Sequence, residues 1–192
     1  MSILDFDKEQ PSAWKKWNPG LDNDKFLLKQ VYDTLPGNDP EQINYLVKIF
    51  ENPCSPVAFK GAISLPRHDC VHILLGRGLL PQDEAFVIGF TMGTSKSIGR
   101  FQSWIFGIIT RYLYPHPYKF DSNQVKVLRM AIEAGRMSRA EKIYEFPLEN
   151  RQEFTLGEIR KMMGIDVEFL KAIYRREKEM IPNSAESKRL PV

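Results

Sequence analysis

The chain has 192 residues, of which 43% are apolar and 27% charged, the composition of a globular protein with a sizeable core and not of a disordered one. Its 27 basic and 24 acidic side chains leave a formal charge of +3, too mild for a nucleic-acid partner and compatible with an anionic lipid surface. Cys54 and Cys70 are the two cysteines, which excludes a disulfide framework and a four-cysteine zinc site.

The opening MSILDFDKEQ is acidic and poor in apolar residues, unlike a secretory signal or an Arg-rich transit peptide. The longest apolar run, Trp104 to Ile109, is far too short for a bilayer span. The expectation is a cytoplasmic protein, free or held peripherally at the inner membrane.

Residues 1–21 carry Trp14, Trp17, Pro11, Pro19 and Gly20 and read as an arm without regular structure that lays its tryptophans on the domain. Lys15 and Lys16 beside them read as solvated, with contact to a membrane surface as the alternative. Asp22 or Asn23 can cap a helix running through Leu35, with Phe26, Leu27, Val31 and Leu35 on one stripe. Asp39 and Pro40 start a second helix, to about Glu51, with a cap and a first-turn proline. A connection over 52–64 leads into a third helix, with Pro66 near its start and Gly76 and Gly78 at its end.

That third helix carries HDCVH. His68 and His72 stand at i and i+4, which puts both imidazoles on one face about 6 Å apart along the axis. Asp69 lies at the edge of the same face. Glu84 follows in the first turn of the next helix, opened by Pro81. Two imidazoles with carboxylate oxygens suit Zn²⁺, Fe²⁺ or Mn²⁺. The bland readings are a hydrogen-bonded pair of core histidines and an ordinary first-turn acid favoured by the helix dipole. Cys70 points away from His68 and reads as a buried thiol, and the remaining histidine, His116, falls between prolines in a loop.

A strongly apolar helix is expected over Ser97 to Tyr112, either buried on nearly all sides or facing a ligand groove. Asp121 or Ser122 caps a helix to about Met137, with Val125, Leu128, Ala131 and Ile132 inward. Ser138 starts a turn toward Tyr144. Thr155 and Glu158 form a capping box at a short helix ending at Gly164, and Asp166 caps a last helix to Ile181. The tail NSAESKRLPV is polar and reads as disordered. With no run of alternating strand residues, the expected fold is all-α: a single-domain bundle of about seven helices over 22–181, with the irregular arm 1–21 and the polar tail 182–192.

His68, Asp69 and His72, followed after eleven residues by Glu84, resemble the metal motif of the coenzyme Q biosynthesis family called Coq-four. The stretch from Gly135 to Ile165 is similar to that family's C-terminal pattern: a helix, an aromatic-acidic turn, then Leu156, Ile159, Arg160, Gly164 and Ile165. The chain departs from the family at Asp83, where glycine is common, at Cys70, and in the block 100–120, as a divergent bacterial member would.

The resemblance implies a divalent metal, Zn²⁺ first with Fe²⁺, Mn²⁺ or Mg²⁺ as alternatives, held by His68, Asp69, His72 and Glu84 near an aromatic head group. It implies work in ubiquinone biosynthesis, either decarboxylation with hydroxylation at C1 of that ring or organisation of the biosynthetic complex. It further implies a polyprenyl tail along apolar helix faces, for which Phe101, Ile105, Ile108 and Ile109 are the candidates. The expected partners are a prenylated lipid or quinone precursor, a membrane surface, other quinone-biosynthesis enzymes and a second copy of the chain in a homodimer. Two alternatives stay open: a helical metal-dependent phosphate-ester hydrolase, for which the chain is short of histidines, and a non-catalytic isoprenoid-binding module.

Overall fold

The computed structural model describes residues 2–37, 65–95, 120–140 and 142–192. Among these the chain is all-α, as expected. The helices are α1 (Ala13–Lys16), α2 (Leu28–Tyr32), α3 (Leu65–Leu75), α4 (Pro81–Thr94), α5 (Ser122–Met137), α6 (Leu156–Met163), α7 (Val167–Met180) and α8 (Ala185–Lys188). The one strand-like feature among the described residues is an isolated antiparallel bridge between Leu27 and Thr155. No helix among them is long and apolar enough to cross a membrane. The expected helix from Pro40 to Glu51, the helix from Ser97 to Tyr112, Cys54 and His116 lie outside the described residues.

These residues form two compact units, each assembled from two stretches of sequence: Met1–Leu79 with Tyr144–Met163, and Leu80–Ile143 with Gly164–Val192. In the first unit the arm is more regular than expected. Ile3–Asp5 is a 3₁₀ turn and α1 is one turn of α-helix. Trp17 is fully buried, and its indole N–H donates to Thr34 Oγ1 at 3.0 Å.

The helix expected from residue 22 to Leu35 shrinks to the five residues of α2. The reason is competition for backbone groups. Leu28 N–H and Lys29 N–H donate to the carbonyls of Phe154 and Gln152, while Leu156 and Gly157 donate to Phe26 and Asp24. Asn23 does not cap a helix; its amide donates to the carbonyls of Pro19 and Gly20. A segment whose donors and acceptors are already paired across the chain has no need of helical turns. α6 does follow its capping box: Thr155 N–H donates to Glu158 at 2.8 Å, and Glu158 N–H donates back to Thr155 Oγ1 at 3.3 Å.

The second unit is built on α4 and α5. Twelve of the fourteen residues of α4 are buried, Gln82 and Asp83 among them. α5 begins where Asp121 accepts from the N–H groups of Asn123 and Gln124, and it buries Val125, Leu128, Ala131 and Ile132. The two helices meet along a seam of glycines. A Cβ on Gly93 would stand 2.2 Å from the carbonyl oxygen of Ile132, and one on Gly135 would stand 2.4 Å from that of Phe90. Absent side chains therefore set the approach of the two backbones. On α7, capped by Asp166, Tyr174 packs edge-on against Phe86 of α4 with ring centroids 5.0 Å apart.

The tail is not disordered. Ser184 caps α8, Ser187 is fully buried and Leu190 is 6% exposed. Its polar side chains look solvated in the sequence, but they pair with buried polar groups of α4.

Candidate metal centre

α3 ends in a tight reversal that organises one imidazole. Gly76 adopts φ +65°, its N–H donates to Ile73 O, and the N–H of Arg77 reaches back to His72 O at 2.9 Å. This pair of bonds is a Schellman motif. The turn brings the Gly78 carbonyl under the His72 ring, 2.7 Å from Nδ1. A carbonyl only accepts, so Nδ1 carries the proton and a neutral His72 presents a bare lone pair at Nε2. An outer hydrogen bond that fixes tautomer and ring orientation is the usual companion of a metal-ligating histidine.

The second imidazole meets that lone pair. His68 Nε2 lies 3.0 Å from His72 Nε2, and the rings cross at 78° with centroids 4.7 Å apart. Both residues are buried. Two nitrogens on one tetrahedral zinc would stand about 3.3 Å apart, given Zn–N distances near 2.0–2.1 Å. A direct hydrogen bond from a His68 Nε2–H would give a similar separation. The i, i+4 spacing therefore converges two ring nitrogens on one point, as the sequence implies.

Asp69, on α3 between the two histidines, is half-buried. Its charge bears on its neighbours. Burial first, and then the Asp69 carboxylate, pushes the Tyr32 phenol up to about 12. The same two causes in the same order push the Cys70 thiol up to about 12. Glu84 is half-buried in the first turn of α4, in the second unit, and its N–H donates to Leu80 O at 3.0 Å. The apolar candidates Phe101, Ile105, Ile108 and Ile109 lie outside the described residues.

The Glu149 and Arg160 side chains and the Tyr144 carbonyl hold α3 by its ends, and their roles are not legible in the sequence. At the N-terminal end the Arg67 fork takes both carboxylate oxygens of Glu149, at 2.9 and 3.0 Å, and Tyr144 O at 2.7 Å. At the C-terminal end the buried Arg160 guanidinium donates to Leu74 O at 2.9 Å, Ile73 O at 3.4 Å and Leu21 O at 3.2 Å, and pairs with Asp24. Tyr144, Glu149 and Arg160 all belong to the second stretch of motif resemblance. The signal that could have exposed them is a basic residue, Arg160, on the apolar face of the amphipathic α6.

No family model matches the chain, and no curated protein or solved structure is found to be similar to it.

Proposed function

We propose that this chain binds a divalent metal ion through His68 Nε2, His72 Nε2 and a Glu84 carboxylate oxygen, and that it serves prenylquinone biosynthesis. The observation that carries the metal reading is the 3.0 Å approach of two buried Nε2 atoms, one with its tautomer set by Gly78 O. Two nitrogens and one oxygen are a borderline donor set, suited to Zn²⁺ or Fe²⁺. Such a set would leave coordination positions for water or substrate, and a bound ion there would polarise a carboxylate or ring oxygen.

The chain's own residues do the rest. The Gly78 carbonyl keeps His72 in the tautomer that ligates. Arg67 and Arg160 hold the helix that spaces the imidazoles. Asp69 adds a negative charge beside the pair, favourable to a cation. The quinone part of the proposal rests on the resemblance to the Coq-four family in HDCVH, Glu84 and the Gly135–Ile165 pattern. On that reading the substrate is a prenylated aromatic acid, and the activity is either release of its C1 carboxyl as CO₂ with hydroxylation of that carbon, dioxygen being the oxidant and leaving as peroxide, or escort of that lipid among partner enzymes.

Elemental analysis of the purified protein, with native mass spectrometry for co-purified lipid, tests both parts. About one metal ion per chain, absent from His68→Ala/His72→Ala, together with a prenylated lipid adduct, is the expected result. Metal without prenyl lipid overturns the quinone reading, and absence of metal after reconstitution with Zn²⁺, Fe²⁺ and Mn²⁺ overturns the proposal.

A further inference from the structure

The first turn of α4 is tied by side chains from the far end of the chain. Gln82 N–H, one of the helix-start donors without an intrahelical partner, donates to Glu186 Oε1 at 3.2 Å. The Gln82 side-chain amide donates to Glu177 Oε1 at 2.6 Å and to Ser187 Oγ at 3.0 Å. Asp83 accepts from Leu80 N–H at 3.3 Å and is ion-paired with Arg189. Gln82, Asp83, Glu177, Glu186 and Ser187 are all at most 9% exposed. Ser184 Oγ, which accepts from Ser187 N–H at 3.0 Å, keeps this hook folded.

Buried polar groups at this density are fully paired or costly, so they fix one geometry. The residue that follows them is Glu84. We infer that the C-terminal hook, through Glu186, Ser187 and Arg189, is a positioning device that fixes the backbone of Gln82 and Asp83 and with it the start of Glu84, the carboxylate that the metal reading above takes as a ligand. The role assigned to Glu84 rests on the metal reading above; the holding of the turn does not. Asp83 now has a reason to stand before Glu84: it is the anchor for Arg189, a bond that glycine would not make.

The test compares wild type, Glu84→Ala, the double variant Glu186→Gln/Arg189→Ala, and Arg189→Lys. Co²⁺ titration followed by visible absorption reads the ligand set, and hydrogen exchange of the amides at 82–84 reads the turn without metal. The double variant is expected to bind Co²⁺ about 10–100-fold more weakly, the usual cost of losing an outer partner of a metal ligand. Its spectrum is expected to coincide with that of Glu84→Ala, its 82–84 amides to exchange faster than in wild type, and Arg189→Lys to recover part of both. Wild-type affinity, spectrum and exchange in the double variant overturn the inference. Glu84→Ala that binds Co²⁺ like wild type overturns the ligand role and the inference with it. If wild type binds no Co²⁺, the metal reading fails, and exchange alone decides: faster exchange in the double variant upholds the hook, and unchanged exchange overturns it. A chain ending at Asn183 repeats the exchange measurement should the double variant fail to fold.

Discussion

Arg160 Nε–H donates to the carbonyl of Leu74, 2.9 Å away, across 86 residues of sequence. Leu74 is in the last turn of α3, the helix that carries both histidines. A helix leaves its last carbonyls without intrahelical partners, and a buried guanidinium with several donors is well matched to them. Arg160→Met leaves Leu74 O, Ile73 O and Leu21 O unsatisfied in a dry site. We expect a loss of about 2–4 kcal/mol in urea denaturation. Arg160→Lys recovers only part of it, because one ammonium does not reproduce the planar fork.

The glycine seam of α4 and α5 gives a second expectation. In Gly93→Ala the new methyl group meets Ile132 O and Gly135 Cα, both backbone atoms that do not rotate away. The helices must separate, at about 2–3 kcal/mol by equilibrium unfolding. Gly37→Ala meets nothing within 4 Å and serves as the control, within about 0.5 kcal/mol of wild type.

Cys70 is an inert thiol. It is 2% exposed, and burial with the nearby Asp69 charge pushes its pKa up to about 12. In a Cys54→Ser background, a disulfide reagent at about pH 8 should leave Cys70 unmodified in the native protein and label it fully in guanidinium chloride. Rapid labelling of the folded protein would show that α3 opens to solvent.

The cap of α6 gives stability a pH dependence on the acid side. Hydrogen bonds from the Thr155 N–H and then its hydroxyl hold the Glu158 carboxyl below its ordinary value. A lowered folded-state pKa means that the unfolded chain takes up the proton first as pH falls. The contribution is therefore present above the ordinary glutamate range, about pH 4–5, and is lost as pH drops through the lowered value. The gap in urea midpoint between wild type and Glu158→Ala should be widest at neutral pH and close as pH falls through the lowered value.

The elements legible in the sequence are those whose signals are local. Asp121, Asp166 and the Thr155–Glu158 box cap the helices they announce. The i, i+4 spacing of His68 and His72 does bring the two rings together. What the sequence hides depends on partners far along the chain. α2 is short because the backbone of residues 24–29 pairs with 152–157, and the tail is ordered because Glu186, Ser187 and Arg189 answer Gln82 and Asp83. Weak local traces exist for the tail, where Ser184 precedes Ser187 at capping distance, and for the α4–α5 seam, where Gly89 and Gly93 stand four apart on one helix face. The turn that delivers the Gly78 carbonyl to His72 is announced by Gly76, which takes the positive φ, but the bond itself is not.

The most direct test of the metal centre is isothermal titration of Zn²⁺ into metal-free wild type, His72→Ala and Gly76→Ala. Gly76→Ala keeps every proposed ligand but strains the turn that delivers Gly78 O, since a Cβ there would lie 2.6 Å from Gly20 O. The expected result is one site per chain in wild type, none in His72→Ala, and binding about 10–100-fold weaker in Gly76→Ala. Equal Zn²⁺ binding by wild type and His72→Ala, or none by wild type, would contradict a metal centre at His68 and His72 and leave them a hydrogen-bonded pair in the core.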